Sequence, residues 1–274
     1  MPPLLLKRLP LVTSILLFAF FALTATRGQT DTTLLLIGSS VIMFACCWSS
    51  AIHLLGARPA LQFVVIGVVF GWFAEQMGAS YGWFFGRYTY TEVLGPRIGA
   101  VPAIIPLMWF ALTYVAYVIG NLIVWQNPVH NSAHLGWSAA MSLLAAMIVT
   151  AYDLGADPYM VFVLKAWLMT KTDGWWFGET LQGFVGWAVV SFAIIFSFRL
   201  SVRARVLRPA LRINGWHVLV PLAIYGASMV FQMAAGSPVE TRTVALFAMG
   251  IALLCALIGW ARWHGEGARQ EALA

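Results

Sequence analysis

Long apolar stretches, more than any single motif, limit what this chain can fold into. Only 9% of its 274 residues are charged, whereas 61% are hydrophobic. A soluble domain usually carries about 25% charged residues, so this chain cannot cover a water-facing surface. As helices, the apolar stretches are long enough to cross, or nearly cross, the hydrocarbon core of a bilayer. The predicted spans are residues 9–26, 32–55, 60–78, 100–125, 135–151, 181–198, 216–235 and 240–261.

The expected fold is an all-α, polytopic integral membrane helix bundle that forms a single domain over residues 1–274. It has about eight transmembrane helices, with seven to nine possible. Segment 158–170 is apolar but short and contains Lys165, so we interpret it as a re-entrant or interfacial helix. If it crossed the membrane, the count would be nine. Lys7 and Arg8 precede an apolar run that also resembles a signal peptide; its poor cleavage site favours a retained first helix.

Positive charge is concentrated between the sixth and seventh predicted spans. The five arginines there are Arg199, Arg203, Arg205, Arg208 and Arg212. In a soluble protein such a cluster would suggest nucleic acid, but between two apolar spans it is typical of a cytoplasmic loop beside anionic lipid. With eight spans, Arg262 and Arg269 fall on the same side. We therefore expect both termini to be cytoplasmic and no nucleic-acid partner. The expected location is the bacterial or archaeal cytoplasmic membrane.

Acidic residues are scarce, with ten in the whole chain, and an acid at membrane depth is a functional candidate because its burial is costly. Glu75 lies near the end of the third span among apolar and aromatic neighbours. Asp153 and Asp157 follow the fifth span. Asp157 precedes Pro158 and suits a helix N-cap, whereas Asp153 has no such structural explanation. On a continuous helix the two aspartates would share a face, but Gly155 and Pro158 argue against continuity.

Other polar residues give weaker signals. Asp173 and Glu179 flank an aromatic segment, and the sequence does not choose between a site and the water interface for them. Tyr88 and Tyr90 are typical of an interfacial aromatic belt. The histidines form no metal-ligand pattern, so no metal site is expected. The chain also has no Gly-rich phosphate loop and no dinucleotide fingerprint, which argues against phosphate chemistry and bound nicotinamide.

Two ordered blocks of residues, over about residues 65–190, carry a family resemblance. The first is Glu75-x-x-Gly78, Tyr81-Gly82-x-x-Phe85-Gly86-x-Tyr88-x-Tyr90, Gly95, Val101-Pro102 and Trp109. The second is Asp153-Leu154-x-x-Asp157-Pro158-x-Met160, Trp167, Gly174, Gly178 and Phe184-x-Gly186-Trp187. In order and spacing they resemble the carotenoid biosynthesis membrane proteins, the family of the bisanhydrobacterioruberin hydratases or carotenoid 1′,2′-hydratases. The chain departs from the family at Tyr152, where a Trp is common, and over 178–184, where the usual Pro and Asn are missing.

The resemblance implies a hydro-lyase of carotenoid biosynthesis that adds water to the terminal C1′,2′ double bond of an acyclic carotenoid. Protonating the less substituted alkene carbon leaves a tertiary cation, which water then captures. No redox cofactor is required. Burial raises a carboxyl pKa and keeps the group protonated until it donates, and aromatic faces stabilise a cation.

The resemblance also suggests roles for individual residues. Either Asp153 or Glu75 would donate the proton while the other positions water, with Asp157 as the next candidate. The aromatic residues expected to contact the polyene are Trp83, Tyr88, Trp109, Trp167, Trp175 and Trp176. Expected partners are a long polyene substrate, membrane lipid and other enzymes of the carotenoid pathway.

Two other functions fit the same residues. Acids and broken helices inside a membrane are also typical of a proton-coupled transporter, which would give a solute-dependent proton flux in liposomes. A non-catalytic carotenoid- or lipid-binding membrane protein would carry pigment without converting it. A hydroxylated polyene formed by the purified protein would favour the enzyme over both.

Overall fold

Eight membrane-length helices make up most of this protein in the computed structural model. The structure describes residues 3–27, 29–30, 32–203 and 213–272, without the side chains of 3–6 and 267–272. Within that part of the chain, eight helices are long and apolar enough to cross a membrane, which confirms the predicted all-α membrane bundle. They are α1 Pro3–Thr26, α2 Thr33–Leu55, α3 Ala57–Tyr81, α4 Ile104–Trp125, α5 Leu135–Pro158, α6 Leu181–Val202, α7 Leu219–Ala235 and α8 Glu240–Ala272.

Helix α4 lies at the centre of the bundle. In its most apolar stretch 78% of the residues are buried, against 17% in α1 and 22% in α8. Its Tyr114 and Tyr117 pack edge-on against Phe63 of α3, whose ring stacks on Phe198 of α6 with centroids 4.1 Å apart. Tight side-chain packing of this kind holds helices together where lipid removes the hydrophobic drive for association. Helices α1 and α8 are therefore peripheral and turn most of their apolar side chains outward.

The two long connections meet at one end of the bundle. The connection after α3 contains β1 (Tyr88–Tyr90), β2 (Arg97–Ile98) and β3 (Val101–Pro102), and the connection after α5 contains β4 (Trp167–Met169). Strands β1 and β4 pair antiparallel, with Tyr90 opposite Trp167; β2 pairs with β3. Both connections therefore lie on the same side, as the eight-span topology predicts. The paired strands β1 and β4 are called the ribbon below.

Helix α5 is longer than the sequence predicts. It runs unbroken through Pro158, and a π-helical turn, Tyr159–Val163, prolongs it. Proline removes one helical N–H donor, which would leave the carbonyl of Leu154 without its partner. The indole nitrogen of Trp176 donates to that carbonyl at 3.0 Å instead. The predicted separate helix over 158–170 is therefore wrong, because its first part extends α5 and its last part forms β4.

Continuity of α5 also corrects the predicted cap. Asp157 lies inside the last turn of α5, with its side chain 8% exposed, and does not begin a helix. On an unbroken helix, residues four apart lie on the same face. Asp153 and Asp157 consequently point the same way, which the sequence left in doubt because of Gly155 and Pro158.

The arginine cluster divides into a buried and an exposed part. Arg199 lies within α6 and is 1% exposed; its Nη2 donates to Asn121 Oδ1 at 2.8 Å, and its guanidinium lies 4.4 Å from the ring centre of Tyr117. The prediction that Arg199 belongs to a cytoplasmic loop is wrong, because these partners hold it in the bundle. Arg203 is exposed at the end of α6. Outside the described residues lie Arg205, Arg208, Arg212 and the side chain of Arg269.

Candidate active site

A largely apolar cavity lies where α3, α4, α5 and α6 meet the ribbon. Its volume is about 100 Å³, which is room for several water molecules. Three acidic side chains line it, Glu75 from α3 and Asp153 and Asp157 from α5. These are the three acids that the sequence singled out, and the fold brings them to one cavity. The cavity is called the acid cavity below.

Glu75 is surrounded by hydrogen-bond donors. It is 5% exposed, and its Oε1 accepts from the indole nitrogen of Trp109 at 2.9 Å. Its Oε2 accepts from the hydroxyl of Tyr90 at 2.7 Å and also from the hydroxyl of Tyr88. Hydrogen bonds donated to a carboxylate stabilise its ionised form. The surroundings of Glu75 therefore suit a buried anion.

The ribbon supplies two of these donors. Alternate residues of a strand point to the same side, so Tyr88 and Tyr90 both turn toward Glu75 and are buried. The prediction that they form an interfacial belt is wrong, since their hydroxyls face inward. Burial first, and then the negative charge of Glu75, raises the pKa of both tyrosines above its ordinary value. They therefore remain neutral donors across the physiological pH range.

Asp153 has the opposite environment. It is 1% exposed, and its Oδ2 is buried without a hydrogen-bond partner among the described residues. An ionised carboxylate left without donors in such a place carries a desolvation penalty of several kcal/mol. The acid cavity thus contains two contrasting carboxyl groups. Glu75 is held by three donors, whereas Oδ2 of Asp153 has none among the described residues.

A fourth acid lies behind Asp157. The chain folds back on itself at Gly174–Glu179, with Trp176 paired to Glu179, and this buries Glu179 to 3% exposure. Glu179 donates a hydrogen bond to Asp157, which also accepts one from Trp167. Burial raises the pKa of Glu179 well above its ordinary value, and the charge and hydrogen bond of Asp157 raise it further. Glu179 and Asp157 therefore share one proton.

The sequence did not choose between a functional site and the water interface for Glu179. The structure places it beside the acid cavity, in contact with Asp157. The scarcity of acids in an apolar chain was the one signal that could have found it. Although several acids gather at this end of the bundle, no group of three or more His, Cys, Asp and Glu side chains in the described part of the chain is placed to hold a metal ion.

The match to known proteins covers most of the chain. Residues 30–257 fit the model of a family described as carotenoid biosynthesis proteins. The chain belongs to the carotenoid biosynthesis protein family. It is also 26% identical, over 160 residues, to the bisanhydrobacterioruberin hydratase of Haloarcula japonica. No solved structure matches the chain.

The similarity to the archaeal hydratase is partial. The alignment covers 58% of this chain and 51% of the relative, so the chain spans about half the length of the protein it matches. A role in carotenoid biosynthesis, which the sequence predicted, is confirmed by the family.

In this member of the carotenoid biosynthesis family, the six aromatic residues predicted to contact a polyene separate into two groups. Those that line the acid cavity are Tyr88, Trp109 and Trp167. Trp83 and Trp175 are 54% and 77% exposed and do not line it. Trp176 does not line it either, because its indole bonds to the α5 backbone. Trp187 of α6 completes the aromatic wall, with its ring centre 4.5 Å from that of Trp109.

A second, more polar cavity adjoins the acid cavity on the side of the connections. It has a volume of about 220 Å³ and shares Phe85 and Met169 with the acid cavity. Its other walls include the charged side chains of Arg87 and Lys171 and the amide of Gln182. Such groups hold water readily, so we call this space the vestibule.

The proton shared by Glu179 makes stability depend on pH. Folding raises the pKa of Glu179 above its ordinary value of 4.5, so the group stabilises the folded protein fully only below pH 4.5. As the pH rises above 4.5, this contribution is lost by up to about 1.4 kcal/mol per pH unit. We expect the thermal midpoint of the wild type in detergent to fall between neutral and alkaline pH. Glu179→Gln keeps a donor for Asp157 without an ionisable proton, so its midpoint is expected to fall less steeply. Parallel slopes for the two proteins would contradict the shared proton.

Proposed function

We propose that the protein adds water to the terminal C1′,2′ double bond of an acyclic carotenoid by acid catalysis. One observation carries the proposal: Glu75 and Asp153 line the same largely apolar cavity in opposite environments. Hydration of an alkene needs both a group that gives a proton and a group that takes one. The name of the Haloarcula japonica relative supports the same reaction type.

Asp153 is the proposed proton donor. Because no described residue donates to Oδ2, the group avoids its desolvation penalty by keeping a proton. That proton passes to C2′, where the electron pair of the double bond forms the new C–H bond. The positive charge remains on C1′, a tertiary carbon. The nearby rings of Trp109 and Trp187 offer electron-rich faces to this cation.

Glu75 is the proposed base. Its three donors favour the ionised form, and a fixed anion beside the cavity stabilises the cation as it forms. Water bonds to C1′ through its oxygen and gives a proton to Glu75. Asp153 has then lost one proton and Glu75 has gained one, so a proton returned through water from Glu75 to Asp153 completes the cycle.

The vestibule is the proposed source of water. Among the described residues it shares Phe85 and Met169 with the acid cavity, so water can reach the cation from the polar side while hydrocarbon occupies the other side. This separation favours capture by one positioned water over flooding of the cavity, which would weaken the electrostatic effect of Glu75.

We also propose that both termini are cytoplasmic. Exposed Arg203 and Arg262 lie at the end of the bundle opposite the ribbon, as do Lys7 and Arg8, and basic residues are enriched on the cytoplasmic side. The acid cavity would then lie toward the outer leaflet.

The test is conversion of a defined acyclic polyene by the purified protein in water labelled with heavy oxygen. We expect a product heavier by one labelled water, without added reductant or oxidant. Unchanged polyene that co-purifies with the protein would support the non-catalytic binding protein and overturn the proposal. Incorporation of oxygen from air in place of water would contradict it equally.

A further inference from the structure

Two more cavities continue from the acid cavity toward the side of the bundle. The middle cavity has a volume of about 90 Å³ and the lateral cavity about 640 Å³. The acid and middle cavities share the wall residues Ile105, Met108, Tyr152, Ala156 and Met160. The middle and lateral cavities share Thr24, Arg27, Tyr159 and Phe231. The three spaces therefore form a line from the carboxyl groups to the cleft between α1 and α7.

We propose that this line of cavities is the binding path of the polyene, which enters sideways from the lipid between α1 and α7 and reaches Asp153 with its terminal double bond. The identity of the reacting end rests on the proposed hydration; the path itself rests on the geometry of the cavities. It makes the residues along α7 determinants of substrate length.

The wall between the acid and middle cavities is thin and adaptable. Tyr152 and Ala156 are four apart on α5 and share one face, next to the face that carries the aspartates. Met160 follows them in the π-helical turn. Ala156 adds little bulk, and Met108 and Met160 have unbranched side chains that adjust to a neighbour's shape. A narrow hydrocarbon chain can therefore pass where these side chains now meet.

The lateral cavity has an apolar side, and Arg27 and Arg242 also line it. Phe21 of α1, Val163 of the π-helical turn and Val230 of α7 line it and are 37%, 46% and 59% exposed. Helix α1 is the least buried of the eight described spans, so the cleft beside it is the place where the bundle is most easily parted. A long polyene dissolves in lipid and not in water, so a sideways opening is the entrance it requires.

Three polar side chains of the middle cavity bond to the backbone. The hydroxyls of Ser39 and Ser228 donate to Leu36 and Ile224 of their own helices. The amide nitrogen of Gln232 donates to the carbonyl of Tyr152 at 3.0 Å. Ser39 and Ser228 therefore present mostly carbon to this space, which suits the body of a polyene. The buried Oε1 of Gln232 has no hydrogen-bond partner among the described residues.

The experiment compares a long acyclic polyene with a short acyclic isoprenoid alkene that has the same terminal double bond. Ser228→Trp fills the middle cavity and Ala227→Phe narrows the lateral one. The control is Ile251→Trp. Ile251 of α8 is 63% exposed, so the substitution adds similar bulk away from every cavity described. For the purified proteins, both bound polyene and turnover of each alkene are measured.

We expect both α7 variants to lower the ratio of long to short turnover about tenfold or more and to retain less polyene, while Ile251→Trp leaves both unchanged. Equal loss for both alkenes, or no loss in either folded α7 variant, would overturn the path. If the wild type binds polyene but hydrates neither alkene, the proposed hydration fails. In that case the amount of bound polyene alone tests the path. Equal amounts of bound polyene in Ser228→Trp and Ile251→Trp would refute it.

Discussion

Asp153→Asn is expected to reduce hydration of the polyene by about 10³-fold, within the range that a positioned general acid contributes. The substitution keeps the size of the side chain and the apolar surroundings of a group that is 1% exposed. An amide, however, has no proton acidic enough to transfer to an alkene carbon. Binding of the polyene should therefore survive while its conversion is lost. The measurement is labelled product formed per folded protein.

The matched control for Asp153→Asn is Asp173→Asn. Asp173 lies exposed in the connection after α5, so the same chemical change there should leave turnover unaltered. Asp157→Asn separates the two aspartates of α5, since Asp157 already accepts hydrogen bonds from Glu179 and Trp167. Full activity in Asp153→Asn together with loss in Asp157→Asn would transfer the donor role to Asp157.

The eight spans could be predicted because lipid imposes a simple rule. A chain that crosses hydrocarbon must pair its backbone groups within a helix and cover them with apolar side chains, and both requirements are visible in the sequence. The end of α5 was not predictable in this way. Pro158 looks like a helix boundary in sequence, but its missing donor is replaced by Trp176, which arrives from a later connection. Such compensation depends on tertiary contacts.

The same distinction applies to the site. Glu75 and Asp153 stand out because charges are rare in apolar spans. Tyr90 and Glu179 reach the site through strand pairing and the fold-back at Gly174–Glu179, and short strands in a connection leave little periodic signal. The prediction that Trp175 contacts the polyene in the cavity was wrong, because the sequence does not distinguish a boundary aromatic residue that faces lipid from one that faces a cavity.

Glu75→Gln is expected to lower turnover by about 10²-fold or more, the scale of losing one preorganised electrostatic group. The amide cannot carry the negative charge that stabilises the cation or take a proton from water. In the variant an NH2 group replaces one of the two carboxylate oxygens, so either Tyr90 or Trp109 loses its acceptor. A buried donor without a partner costs about 1–3 kcal/mol, so the thermal midpoint should fall as well.

Tyr90→Phe distinguishes a catalytic carboxylate from a merely structural one. It removes one donor to Glu75 and keeps the ring and the charge, so it should destabilise the protein by an amount similar to Glu75→Gln but reduce turnover much less. If Glu75 served only to hold the ribbon on α3, the two variants would lose activity in proportion to stability. A Glu75→Gln protein that stays folded, binds polyene and makes no product supports the base. A Glu75→Gln protein that hydrates the polyene as fast as the wild type would show that Glu75 is not the base, and would exclude the mechanism.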